Sequence, residues 1–176
     1  MRWAALLKGI NAGVKLPMAD LRAFLADQGM DDVKTLLASG NAVFTAEEED
    51  AARLEAALAR AAKDKLGLTT DWFLRNHAEL KAIAHANPFS EEVKAHPNHV
   101  QVFFHHDAVD AALIDAVANI YDGPERLRAI GRELYIDYPD DIGHSKLPQA
   151  MAKVKFPKAA TARNWNTLVK LIELTA

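Results

Sequence analysis

Over residues 2–74, short apolar runs and amphipathic runs follow one another in a single order, and that order limits the folds open to this chain. Residues 2–8 read as a buried strand. Pro17 then suits the first turn of a helix, where its missing N–H is not needed, and Leu21, Phe24 and Leu25 form that helix's core stripe before Gly29 stops it. Residues 33–38 and 42–45 form strands about a turn at Ser39-Gly40-Asn41. Residues 47–50 are an acidic entry to a second helix, where negative charge favours the helix N-terminus, and Gly67 closes it. A strand over 70–74 completes the order βαββαβ, that of a ferredoxin-like plait.

The remainder echoes this pattern without evident sequence identity. A helix over 77–85 ends at Asn87-Pro88, a strand covers 99–104, a helix 109–120, and strands over 125–130 and 133–138 pair about Gly131-Arg132. A final helix is expected from Thr161, capped by its hydroxyl, with Trp165, Leu168, Val169 and Ile172 as its apolar stripe. The expected fold is therefore α+β, with two plait-like subdomains and antiparallel sheets: residues 1–75 as βαββαβ, and residues 76–176 as αβαββ–α, lacking the last strand and packed closely with the first. With no cysteine, the 176-residue chain has no disulfide, thiolate metal site or cysteine nucleophile. Its opening run is broken by Arg2 and Lys8 and lacks the length and cleavage site of a signal peptide, so a cytoplasmic protein without a membrane span is expected.

Charge is unevenly spread. From Gly143 onward Lys146, Lys153, Lys155, Lys158, Arg163 and Lys170 stand against Glu173 alone, so this tail is +5 and the rest of the chain −8. Asn164 and Asn166 are poor choices for a helix interior, because their side chains compete for the backbone. Together with the loop 142–147 they suggest a site for an anion: Arg163 as a fork onto phosphate or carboxylate, Lys146 as a point charge, Ser145, Asn164 and Asn166 as hydrogen-bonding groups, with Asn11 and Lys15 of the first loop as further members. The bland account is that the tail packs on the acidic body and these residues hold loops together.

Other chemistry finds less support. Gly9, Gly13 and Lys15 do not have P-loop or dinucleotide-fingerprint spacing. Ser145 beside Lys146 matches neither a Ser-x-x-Lys arrangement nor a nucleophile elbow. His96, His99, His105 and His106 cluster, but no acidic ligand has convincing spacing, and His99, Gln101, Phe103 and His105 read as a solvated or partner-facing sheet face; neither a metal nor a cofactor is expected. Asp137, Asp140 and Asp141 are the carboxylates nearest Ser145 and Lys146 in the chain. The hairpin over 39–45 lacks the basic–aromatic alternation of sheet-face RNA binders, which leaves the basic tail as the route to nucleic acid.

Four segments in order, Lys8-Gly9-Ile10-Asn11, Ser39-Gly40-Asn41-Ala42-Val43-Phe44, Ile142-Gly143-His144-Ser145-Lys146-Leu147 and Thr161-Ala162-Arg163-Asn164-Trp165-Asn166-Thr167, resemble the bacterial domain of unknown function 1697 family across essentially the whole chain. The resemblance implies a cytoplasmic α+β protein with two plait-like subdomains and no established activity. Three functions are therefore carried forward: binding of a phosphate-bearing or nucleotide-type ligand, a non-catalytic module for protein or nucleic acid, and a hydrolase or transferase acting on a phosphorylated small molecule.

Overall fold

The computed structural model describes residues 1–176, which form two compact units: Met1–Ala82 with Lys170–Ala176, and Ile83–Val169. The first unit contains β1 (Arg2–Leu7), α1 (Met18–Asp27), β2 (Asp31–Leu36), β3 (Asn41–Thr45), α2 (Ala51–Leu66) and β4 (Trp72–Asn76). Its four strands run antiparallel in the order β2-β3-β1-β4. Trp3, Ala5 and Leu7 share one sheet face with Ala42, Phe44, Trp72 and Leu74, and pack on Leu21, Phe24 and Leu25 of α1 and Leu54, Leu58 and Ala62 of α2. The acidic entry to α2 is a true cap, since the Asp50 carboxylate accepts from Arg53 N at 3.1 Å, and Gly67 closes the helix at φ 62°. Gly40 has to be glycine twice over. Its φ is 91°, and a Cβ there would stand 3.0 Å from the Ile10 side chain.

The chain continues through α3 (His77–His85), α4 (Ser90–Ala95), a 3-10 turn (Pro97–His99), β5 (Val100–His105), α5 (Ala111–Ile120), β6 (Arg126–Ile130), β7 (Glu133–Asp137), α6 (Leu147–Lys153), β8 (Ala160–Asn164) and α7 (Trp165–Thr175). The second sheet is antiparallel in the order β6-β7-β5-β8, the same arrangement as the first. Both units are plaits. No helix is long and apolar enough to cross a membrane.

The second plait is complete, where the sequence led us to expect its last strand missing. That strand is β8, made of residues expected to begin the final helix. Thr161 and Arg163 are buried while Ala160, Ala162 and Asn164 are half-buried, an alternation of period two rather than 3.6. The ladder to β5 then outweighs the local helical preference of the alanines. Helix α7 begins later, and its cap is Asn164, whose carboxamide oxygen accepts from Thr167 N at 3.0 Å; Thr161 is not the cap. The late start also changes the apolar stripe: Leu168 and Leu171 are buried, and Val169 is exposed. The last residues group with the first unit, where Arg2 Nε donates to Leu174 O at 3.1 Å.

The two plaits share a signature at the end of their fourth strands. In the first, Asn76 Oδ1 accepts from Glu79 N at 2.8 Å and so caps α3 directly after β4. Asn76 pairs with Trp3, the second residue of β1, and Asn164 pairs with Gln101, the second residue of β5. Arg75 and Arg163 precede the two asparagines, both are buried, and each donates to the carbonyl just before it, Leu74 O at 3.0 Å and Ala162 O at 2.8 Å.

Removing either cap oxygen leaves a first-turn amide without its partner. Asn164→Ala and Asn76→Ala are each expected to lower stability by about 1 kcal/mol in urea unfolding, and equal midpoints for variant and wild type would refute the capping role.

Candidate functional site

The residues expected to bind an anion fall in both units. Asn11 and Lys15 belong to the first unit, and Ser145, Lys146, Arg163, Asn164 and Asn166 to the second. Asn11 is used locally: its Nδ2 donates to Leu16 O at 2.9 Å and Ala38 O at 2.6 Å, and its Oδ1 accepts from Leu16 N at 2.9 Å. Lys15 is exposed. Ser39 and Asn41 do lie at the same end as Asn11, because β3 begins where β1 ends, with Leu6 opposite Asn41. Asn41 is fully buried and donates to Leu36 O at 2.8 Å, so this cluster ties a hairpin to a loop.

In the second unit, Arg163 is buried and donates to Thr161 Oγ1 at 2.7 Å as well as to Ala162 O. Burial lowers its pKa to about 10, so it remains a cation at neutral pH. Asn164 caps α7, and Asn166 is exposed on the first turn of that helix. Asn164 ends an edge strand, whereas Ser145 bonds to Glu125 beside the opposite edge strand, β6. Three strand spacings separate those edges, roughly 14 Å. Arg163 and Asn164 therefore do not join Ser145 and Lys146 in one small-anion site.

Ser145 and Lys146 instead border a cleft of about 380 Å³ between the turn after α5 and the loop after β7, lined by Tyr121–Glu125, Asp140, Asp141 and His144. Glu125 organises it. One carboxylate oxygen accepts from the Tyr121 hydroxyl at 2.7 Å, and the other accepts a short hydrogen bond from the Ser145 hydroxyl. The Ser145 oxygen in turn accepts from Leu147 N at 3.1 Å, at the start of α6. Burial alone would raise the Glu125 pKa; the hydrogen bonds from Ser145 and Tyr121 outweigh it and hold the carboxyl below its ordinary value. The Tyr121 phenol moves up, through burial first and the Glu125 carboxylate second. A Cβ at Gly123 would collide with the Tyr121 ring and hydroxyl, so glycine is what allows the turn to close over the phenol. On the outer rim His144 pairs closely with Asp141, which raises the imidazole pKa and lowers that of the carboxyl. A second hollow of about 360 Å³ shares Tyr121, Asp122 and Lys146 with the first and adds Gln149 and Lys153 of α6.

Asp137, one of the three carboxylates near Ser145 in sequence, turns elsewhere. It is buried, one oxygen lies 3.0 Å from His96 Nε2, and the other accepts from Arg126 at 3.1 Å. Arg126 also bonds Glu92 and lies over the Phe89 ring at 5.1 Å, so this network straps α4 to the sheet. His99 Nδ1 bonds Tyr138 O. The expected solvated face of β5 is covered: Phe103 packs in the core formed with α5 and α6, and His105 is buried. No group of three or more histidine, aspartate or glutamate side chains is arranged to hold a metal. Trp3, Phe44 and Phe73 are buried, which leaves these sheet aromatics unavailable for stacking bases.

Tyr121 and Glu125 had no signal of their own in the sequence beyond an aromatic and an acid flanking Asp122-Gly123-Pro124. Comparison with known proteins adds family and fold. A family model described as protein of unknown function (DUF1697) matches residues 1–135. The conserved bacterial protein SP0830 from Streptococcus pneumoniae has a similar structure, with a TM-score of 0.77 and 23% identity, covering 99% of this chain and 98% of that one. No curated protein matches the chain in sequence.

The lowered Glu125 pKa sets the sign of a pH effect. A carboxyl depressed on folding contributes stability above its unfolded pKa, and that contribution is lost as pH falls through the carboxylate range. Glu125→Gln is therefore expected to lower the melting temperature at neutral pH and to flatten its acid limb. An unchanged acid limb would refute the arrangement.

Proposed function

Since the chain belongs to the DUF1697 family of proteins of unknown function, we propose its role from the cleft: the protein binds a small molecule bearing an anionic group at Lys146 and does not transform it. The observation that carries this reading is that exposed Lys146 stands where the two hollows meet. The anionic group belongs on the α6 side, where Lys146 and Lys153 face Asp122 alone among acids. The other side carries Asp122, Glu125, Asp140 and Asp141 and repels a negative ligand. Tyr121 supplies an aromatic wall between them. A cytoplasmic setting and a phosphorylated ligand belong to the same proposal. Of the residues expected to bind the anion, Ser145 and Lys146 keep a place: Lys146 touches the ligand, and Ser145 positions the wall through Glu125.

The hydrogen bond from Ser145 to Glu125 favours a second reading, a hydrolase with Ser145 as nucleophile and Glu125 as base. It ranks below binding because a carboxylate with a lowered pKa is a weak proton acceptor, and the same bond serves to close the α6 turn.

Calorimetric titration with inorganic phosphate, sugar phosphates and nucleotides tests the first reading. One of them is expected to bind saturably, and Lys146→Ala to weaken it by about tenfold, as for loss of one charge-assisted bond. Absence of binding by all of them, or wild-type affinity in Lys146→Ala, would end the proposal; turnover of a bound phosphate ester abolished by Ser145→Ala would favour the hydrolase instead.

A further inference from the structure

β6 is an edge strand, hydrogen-bonded to β7 on one side only. Its phase follows from the pairing. Gly131-Arg132 is a two-residue turn, so Ile130 and Glu133 close the hairpin as a bonded pair, and Arg128 with Tyr135 and Arg126 with Asp137 follow in the same phase. The other side of β7 agrees, since Tyr138 N bonds His99 O and His105 N bonds Arg132 O. Leu127 and Ala129 therefore turn their amides and carbonyls outward. The outward Leu127 carbonyl accepts from the Arg128 guanidinium at 2.9 Å.

Natural sheets blunt free edges with bulges, prolines and charges that repel another strand. The corresponding edge of the first sheet does so. β2 breaks register between Asp31 and Lys34 and exposes Asp31 and Asp32. β6 has continuous register and no proline. Beside it, against α5, runs a groove of about 280 Å³ with Ile114, Val117, Ala118 and Leu127 among its walls. Leu127 and Ala129 face the helices and the apolar core, so by strand alternation Arg126, Arg128 and Ile130 point to the other face. An open backbone edge next to an apolar groove is the geometry of strand addition, in which the backbone supplies affinity and alternate side chains supply selectivity.

Charge identifies the occupant. A second copy pairing β6 with β6 about a two-fold axis has three central registers. Centring on Leu127 sets Arg126 against Arg128, centring on Arg128 sets that residue against itself, and centring on Ala129 sets Arg126 against Arg132. Each opposes like charges. A strand with acids at alternate positions meets these arginines favourably on one face and can place apolar side chains towards the groove on the other. Arg126 is already engaged with Glu92 and Asp137, so Arg128 is the principal contact. We infer that β6 accepts an extended peptide alternating acidic and apolar residues as a fifth strand, with an acid drawing Arg128 off the Leu127 carbonyl and an apolar side chain entering the groove beside α5.

The groove shares Tyr121 and Glu125 with the cleft at Lys146, but Leu127, Arg128 and Ala129 line neither hollow at Lys146, so readouts at these three residues distinguish failure of this inference from failure of ligand binding. The test is amide hydrogen exchange by NMR on the whole chain, with a capped heptapeptide of alternating glutamate and valine, and a lysine–valine peptide as control. The acidic peptide is expected to bind, to slow exchange at the Leu127 and Ala129 amides by tenfold or more, and to lose at least tenfold in affinity in Arg128→Glu, whose melting temperature should match wild type. The lysine–valine peptide should not bind. No binding by the acidic peptide, equal binding of both peptides, or binding without protection of those two amides would overturn the inference. So would concentration-dependent protection of those amides without peptide, which would make a second copy the occupant.

Discussion

The carboxamide oxygens of Asn76 and Asn164 let a strand become a helix with no intervening loop. The first turn of any helix leaves amides without partners inside the helix. Here the last residue of the strand supplies the acceptor, so β4 runs directly into α3 and β8 into α7. The residue before each asparagine is a buried arginine bonded to the preceding backbone carbonyl. Removing a guanidinium from water is costly without compensating hydrogen bonds. Lowering of the Arg163 pKa to about 10 records that cost while leaving the charge in place. Arginine and asparagine at these positions are parts of the fold, which is why the segment that looked most like a binding surface is committed elsewhere.

The division between what could and could not be read from the sequence follows the range of the forces involved. In the first unit, α2 is long and amphipathic, Asp50 and Gly67 mark its ends, and hydrophobic strands flank it, so local signals agree with tertiary packing. β8 is the opposite case. Ala160–Asn164 has little intrinsic preference for a strand, and its identity depends on a ladder to β5, about sixty residues earlier. The site divides in the same way. Ser145 and Lys146 could be picked out as a polar loop, but Tyr121 and Glu125 acquire meaning only when the turn after α5 meets the loop after β7. Asp137 was noticed for its neighbours in sequence, and its partners proved to be His96 and Arg126.

The same account separates structural from available polar groups. Asn11, Asn41, Arg163 and Asn164 spend their hydrogen bonds on backbone or adjacent side chains. Glu125 also has both oxygens occupied, but its partners Ser145 and Tyr121 line an open cleft, so its bonds shape a surface instead of closing a core. Lys146 and Lys153 remain as exposed cations beside that surface. Charge counted along the sequence overstated how much of the basic tail faces outward, because burial of Arg163 removes one of its six cations from view.

The direct passage from β8 into α7 has a consequence for motion. Asn164 belongs at once to the last pair of the β5–β8 ladder, opposite Gln101, and to the cap that holds Thr167 N. When that pair frays, the cap geometry goes with it, and when the first turn of the helix unwinds, the asparagine loses what orients it on the strand. Strand end and helix start are thus one opening unit, not two that fluctuate separately.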